Sequence, residues 1–217
     1  MEERRRFMDN TATLFVGFDL GGTKMLAKVY DEQFKELGQR RKKTKGHEGA
    51  EAGVSRIVTT IQQALEDAQV DAARLAAIGI GCPAPVDMDR GIVLSAANLG
   101  WQNVALGDAL QKEFRCPVSV LNDVDAGVYA ENRFGSAKDA RCVVGIFPGT
   151  GIGGGCVYDG EIVHGARSSA MEIGHIPVNP NGRLCGCGRY GCLESEASRL
   201  AIAGAAAQAA YRGQAPH

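Results

Sequence analysis

Apolar positions along the chain fall into short dense runs separated by helical stripes, a pattern that predicts alternating strands and helices. Residues 14–20 (LFVGFDL) read as a buried strand, and 25–30 (MLAKVY) as a second strand after a Gly-Gly-Thr-Lys turn. Residues 36–44 predict a polar third strand. Its basic run at 40–45 fits a solvated edge strand or loop better than a nucleic-acid patch. Between 49 and 70, Val54, Ile57, Val58, Ile61 and Leu65 recur at helical spacing and predict an amphipathic helix. A strand at 76–81 follows, then Pro83, Pro85 and a hairpin through Asp89-Arg90-Gly91. Next come a helix at 106–115, a strand at 117–121, a helix at 124–134 and a strand at 141–147. A glycine run then leads into CVYDGEIV, whose Asp-Gly predicts a hairpin. Residues 166–192 read as loops, and 193–211 as one Ala-rich helix. The order strand, Gly/Thr turn, strand occurs near 14–30 and again near 141–163, predicting two α/β halves, 1–121 and 122–217.

Composition narrows the class. The chain has 217 residues, 45% of them hydrophobic, enough to build a core without cross-links. With 24 basic against 25 acidic residues the formal charge is −1, so charge gives no argument for a nucleic-acid or membrane partner. No apolar stretch approaches the ~20 residues of a membrane span, and the opening MEERRRF lacks the apolar run of a signal peptide. A cytoplasmic protein is expected. Seven cysteines without a secretory signal disfavour a disulfide framework. Cys82, Cys116, Cys142 and Cys156 lie scattered in apolar surroundings, whereas Cys185, Cys187 and Cys192 are crowded together.

That crowd has a chemical reading. His175, Cys185, Cys187 and Cys192 form His-x9-Cys-x-Cys-x4-Cys, the closed donor set of a structural Zn²⁺ site, with Gly186, Gly188 and Gly191 supplying tight turns. A full donor set leaves no position for a metal-bound water. The metal is therefore expected to shape a loop.

The glycine turns suit anions. Gly21, Gly22, Thr23 and Lys24 put main-chain N–H groups and a hydroxyl at an unobstructed turn, which is either a phosphate cradle or a simple hairpin. Asp19 beside it could hold Mg²⁺ through water. The second run, with Gly149, Thr150, Gly151 and Gly153, contains GxGxxG but opens a strand, so it is not a dinucleotide fingerprint. Two such turns suggest phosphates gripped from two sides. Asp123, next to Asn122 at a strand end, fits a proton acceptor for an attacking hydroxyl and equally fits a helix N-cap. Asn98, Glu172 and Glu194 add the polar groups with which a polyol is held.

Together FDLGGTK, NLGW, LNDVDAG, GTGIGGGCVYDGEIVHG, EIGH and CGCGRYGCLE resemble the ROK family of bacterial sugar kinases, repressors and related proteins. The resemblance implies the actin-like, ribonuclease-H-like α/β fold with two lobes around a cleft. It also implies phosphorylation of a hexose by ATP and Mg²⁺, glucose being the commonest substrate. Fructose, mannose, allose, N-acetylmannosamine, a polyphosphate donor or a silent sugar-binding protein are the alternatives. It makes Asp123 the catalytic base and Asn98, Asn122, Glu172, His175 and Glu194 sugar-binding positions. Gly21–Lys24 and Gly149–Gly153 become phosphate-binding positions, with Asp19 the cofactor-binding residue near Mg²⁺, and His175 with the three cysteines the zinc ligands. The resemblance implies a homodimer, and with only about a dozen residues ahead of the first strand no DNA-binding module is expected. Two residues depart from the family pattern: Asp125 replaces a frequent Asn, and Met171 replaces the Gly that precedes Glu-Ile-Gly-His. Family members also continue beyond position 217, so the second lobe is expected to be incomplete.

Overall fold

The computed structural model describes residues 13–166, 168 and 170–214. The charged opening segment and the end at His217, on which two sequence readings rest, lie outside the described residues. The chain divides into two compact units between Asp123 and Val124, two residues past the expected boundary.

In the first unit, β1 (Leu14–Leu20) and β2 (Lys24–Tyr30) form an antiparallel hairpin, with β3 (Glu36–Lys43) at the sheet edge. Leu14, Val16, Phe18 and Leu20 alternate inward along β1, as a strand period of two requires. Helix α1 (Ala50–Ala68) carries the chain to β4 (Leu75–Cys82), which lies parallel to β1. Its Ile57, Ile61, Ala64 and Leu65 are buried in the core, each large apolar side chain contributing about 1.5–3 kcal/mol. β5 (Val86–Asp87), β6 (Ile92–Ala96) and β7 (Trp101–Ala105) make a small second sheet. Helix α2 (Leu106–Phe114) then leads into β8 (Val118–Asn122), parallel to β4. The main sheet runs β3-β2-β1-β4-β8. Strand β7 is absent from the sequence reading, which passes from the hairpin at 89–91 directly to the helix at 106–115. Trp101 is buried and packs on Gly53 of α1.

The second unit begins in α3 (Asp123–Phe134) and continues through β9 (Cys142–Pro148), β10 (Ile152–Tyr158) and the short β11 (Glu161–Ile162), in the order β11-β10-β9. Its first hairpin repeats that of the first unit. In each, seven residues of strand lead through a three-residue turn, 21–23 or 149–151, into seven more. The expected Ala-rich helix is two helices, α4 (Leu193–Ala197) and α5 (Arg199–Tyr211). Ser198 at the break is extended, and its hydroxyl oxygen accepts from the Ala201 N–H at 3.1 Å, an N-cap that ends the preceding helix. Among the described residues no helix is long and apolar enough to cross a membrane.

Candidate functional site

The parallel strands β1, β4 and β8 all end at one edge of the main sheet, the edge where α/β sheets place ligands. Asp19 pairs in register with Gly81, and Cys82 with Asn122. Asp19 and the Asn122-Asp123 pair thus flank the end of β4, about 10 Å apart at two strand spacings. Asn122 donates through its side-chain amide to the carbonyl of Ala84 at 3.2 Å and, more weakly, to that of Cys82 at 3.5 Å. It braces the loop after β4. The buried Cys82 thiol is pushed up to about 12 by burial, with the carboxylates of Asp123 and then Asp19 adding to the shift. Both acids therefore act on the same point at the strand ends.

The turn at 21–23 is fixed from β3. Thr44, buried just beyond that strand, donates its hydroxyl to the Gly21 carbonyl at 2.6 Å and its N–H to Thr23 at 2.9 Å. Asn98 lies against the turn, its Cβ 3.5 Å from where a side chain on Gly22 would start. The short helical turn Ala97–Leu99 and the buried Trp101 hold it there. Lys24 opens β2 as an exposed cation. One edge of the first unit thus gathers Asp19, the turn, Asn98 and Asn122-Asp123.

Asp19 sits in this cluster at a cost in stability. Burial raises its pKa, more than the nearby Arg41 guanidinium lowers it. A raised carboxyl pKa means that the charged form opposes folding. The penalty is absent below the unfolded value of about 4 and complete above the folded pKa. Asp19→Asn is expected to raise the melting temperature at pH 7 and to have no such effect at pH 3. Thermal melts of both proteins at the two pH values check this, and equal melts at pH 7 would contradict it.

In the second unit, His175, Cys185, Cys187 and Cys192 come together with their four donor atoms within 4.8 Å of one another. His175 Nδ1 lies 3.5 Å from Cys185 Sγ, and Cys187 Sγ lies 3.6 Å from Cys192 Sγ. A tetrahedral ion with bonds of 2.0–2.3 Å requires ligand-to-ligand edges of about 3.4–3.8 Å. These two edges match that spacing, and the remaining ones lie within 4.8 Å, so the four donors are gathered at the scale of one such ion. Hydrogen bonds from the Arg189 backbone and side chain pull the exposed Cys187 thiol down to about 6, whereas burial pushes Cys192 up to about 11. With Nδ1 facing the cysteines, the other ring nitrogen of His175 is left for a second partner. Glu172 starts the same short turn, Ile173–His175, and is exposed.

The second glycine turn is smaller than its sequence suggests. Only residues 149–151 form it, closed by the Gly149 N–H donating to the Gly151 carbonyl at 2.8 Å. Gly153 is already in β10, paired with Phe147, and a side chain there would collide with Val124 of α3. At Gly153 the missing side chain leaves room for the helix against the sheet. Glu194, placed by sequence among sugar ligands, accepts from the Ile152 N–H through Oε2 at 2.9 Å. The sequence reading missed Arg199. Its N–H donates to the Gly149 carbonyl at 3.0 Å, and its guanidinium end lies 3.9 Å from where a Gly149 side chain would start. An isolated Arg after a serine gives no sequence signal of this.

Residues 15–215 match the ROK family. The chain belongs to the ROK family. It is 35% identical over 190 residues to the glucokinase of Halalkalibacterium halodurans, covering 87% of this chain and 58% of that protein. A ROK family glucokinase from Streptomyces griseus, solved in complex with glucose and AMPPNP, is 37% identical with a TM-score of 0.76, covering 93% of this chain and 62% of that one. A ROK family transcriptional regulator, a homologue of the Escherichia coli Mlc protein, is 30% identical with a TM-score of 0.83, over 96% and 52%. The fold is therefore the α/β fold of the actin-like ATPases, as the ROK resemblance implied. This ROK chain spans a little over half the length of the glucokinase relatives it matches.

The two departures from the ROK pattern have local consequences. Met171 adopts φ +62°, the left-handed region that the usual glycine enters freely and a side chain enters at a cost of about 1–2 kcal/mol. Asp125 lies on α3 with a carboxylate oxygen 3.2 Å from where a Gly155 side chain would start, so it faces β10.

Proposed function

We propose that this ROK chain carries the acceptor-activating part of a sugar kinase that transfers the γ-phosphate of ATP to the 6-hydroxyl of a hexose, glucose first. The observation that carries this reading is the strand-end grouping of Asp123 with Asp19 and the Gly21-Gly22-Thr23 turn. It sets a proton acceptor beside an anion-binding bend. The likeness to glucokinases supports the same reading.

In this reading Asn98 and Asn122 are the sugar-binding candidates of the first unit, and Glu172, His175 and Glu194 those of the second. Asp123 accepts the proton of the 6-hydroxyl as its oxygen bonds to the γ-phosphorus, while the bond from that phosphorus to the β-γ bridging oxygen breaks and ADP leaves. The amides of residues 21–23 and 149–151 meet phosphate charge, and Arg199 adds a cation at the second turn. Mg²⁺, held through water by Asp19, would neutralise charge on the phosphates. Phosphoryl transfer gains mainly from positioning and charge compensation, which is what amide-lined turns and fixed carboxylates supply. Zn²⁺ at the Cys₃His centre would hold the loop at 175–192 in shape and take no part in the chemistry.

A screen for ADP release with glucose, fructose, mannose, allose and N-acetylmannosamine tests the proposal. Sugar-stimulated ADP release, largest with glucose, is the expected result. The likeness to a transcriptional regulator favours a second reading, sugar binding without turnover. Hexose binding with no phosphorylated product from ATP or polyphosphate would establish that alternative and reject the kinase.

A further inference from the structure

The segments that supply the metal ligands also hold the second glycine turn from several directions. From one side, Cys192 opens α4, and two residues later Glu194 takes the Ile152 N–H on Oε2 at 2.9 Å. The other oxygen of the same carboxylate, Oε1, lies 3.8 Å from Cys185 Sγ. Beyond α4, the Arg199 N–H donates to the Gly149 carbonyl at 3.0 Å, so the segment from Cys192 to Arg199 grips both ends of the turn. From the other side, Gly174, next to His175, packs so tightly on the Ile152 carbonyl that any side chain there would overlap it. The loop is further tied to α4 by the Leu193 N–H donating to Ile176 at 2.9 Å. Ile152 is thus enclosed on its N–H side by the residue after Cys192-Leu193 and on its carbonyl side by the residue before His175.

We infer that Glu194 is a positioning residue that couples the Cys₃His centre to the 149–151 turn, so that metal occupancy sets the order of the turn and its capacity for phosphate. Fixing Cys185 and Cys192 on one ion fixes the start of α4, and with it the height and direction of the Glu194 carboxylate. A carboxylate held there accepts one amide strongly and keeps the turn closed. A carboxylate on an unanchored α4 does not. The same oxygen retains further lone pairs, so the sugar contact assigned to Glu194 is compatible with this role. The phosphate half of the inference rests on the proposed kinase reading; the metal-to-turn half does not.

Hydrogen exchange of the Ile152 amide, followed by NMR on the whole chain with Zn²⁺ bound and after chelation, tests the coupling without any nucleotide. Chelation is expected to accelerate exchange at Ile152 at least tenfold while amides of β1 and β4 are unchanged. Glu194→Ala is expected to show fast exchange in both states while still binding Zn²⁺. Glu194→Gln, whose amide oxygen can accept the same hydrogen bond, is expected to restore metal-dependent protection. Protection at Ile152 that ignores metal, or metal dependence that survives in Glu194→Ala, would overturn the coupling. Inorganic tripolyphosphate is expected to bind the Zn²⁺-loaded chain at least tenfold more tightly than the chelated one. Equal or absent binding beside an intact exchange effect would overturn only the phosphate half, and with it count against the kinase reading.

Discussion

Asp123→Asn is expected to lower the rate of hexose phosphorylation by on the order of 10²–10⁴-fold while leaving hexose affinity within about twofold, the signature of a lost general base. The substitution keeps the size of the side chain and its capacity to accept a hydrogen bond through Oδ1. It removes only the ability to take a proton. Asp123 is exposed at the first position of α3, so the substitution removes an exposed charge, and a thermal melt checks that the variant is folded. A second readout checks that the intended field was removed. Cys82 is buried at the end of β4, and its thiol pKa is held up partly by the Asp123 carboxylate. In the variant that pKa should fall, and Cys82 should become more reactive toward a small alkylating reagent at high pH. The single tryptophan, Trp101, lies three residues from Asn98 and offers a fluorescence signal for sugar binding. Wild-type turnover in a variant with the altered Cys82 titration would remove Asp123 from the role of base.

The parts of this arrangement that sequence discloses are those governed by local rules. The two hairpins follow from apolar runs broken by glycine, and β3 from its polar alternation at an edge. The cluster of four candidate metal donors follows from donor types crowded on one short segment. Asp123 was ambiguous because N-cap and base are written with the same letters. The parallel register sets Asp19 level with Gly81, one residue before the Cys82–Asn122 pair, so Asp123 stands at the same sheet edge as Asp19, which no local spacing discloses. Strand β7 was hidden because its five residues include three exposed or part-exposed polar or small side chains and run straight into α2. The break at Ser198 was hidden because alanine-rich sequence on both sides has high helix propensity, and one serine cap outweighs it only once the chain must turn. Glu194 and Arg199 reveal their hold on the 149–151 turn only through packing, which no spacing in the sequence encodes. The glycine run is ambiguous for a related reason. Glycine serves equally for a bend, for a phosphate approach and for letting a helix lie close, and Gly153 serves the last of these.

Between Cys185 and Cys192 lie three glycines that look equivalent in sequence and are not, and their alanine variants should separate by large margins. Gly191 has φ +68°, and a Cβ there would overlap the carbonyl oxygen of Asn179. Neither partner can retreat. The Gly191 carbonyl accepts from Val178 and Asn179 at 2.8 and 3.1 Å, and its N–H donates to Arg183 at 2.8 Å, with Cys192 following directly. Gly191→Ala combines left-handed strain of about 1–2 kcal/mol with a backbone collision, for a total on the order of 3–4 kcal/mol or more. The displacement falls on Cys192, so Zn²⁺ affinity is expected to drop at least a hundredfold, read by competition with a chromophoric chelator. Gly188 has φ +86° but open space around it, so Gly188→Ala bears the conformational cost alone, about 1–2 kcal/mol. Gly186 has neither a left-handed backbone nor a neighbour within 4 Å, and Gly186→Ala should leave both affinity and melting temperature near wild type. The order Gly191 ≫ Gly188 > Gly186 is what the loop geometry demands. Equal losses at all three would mean that general loop flexibility, and not the fixed contact between residues 179 and 191, brings the four donors together.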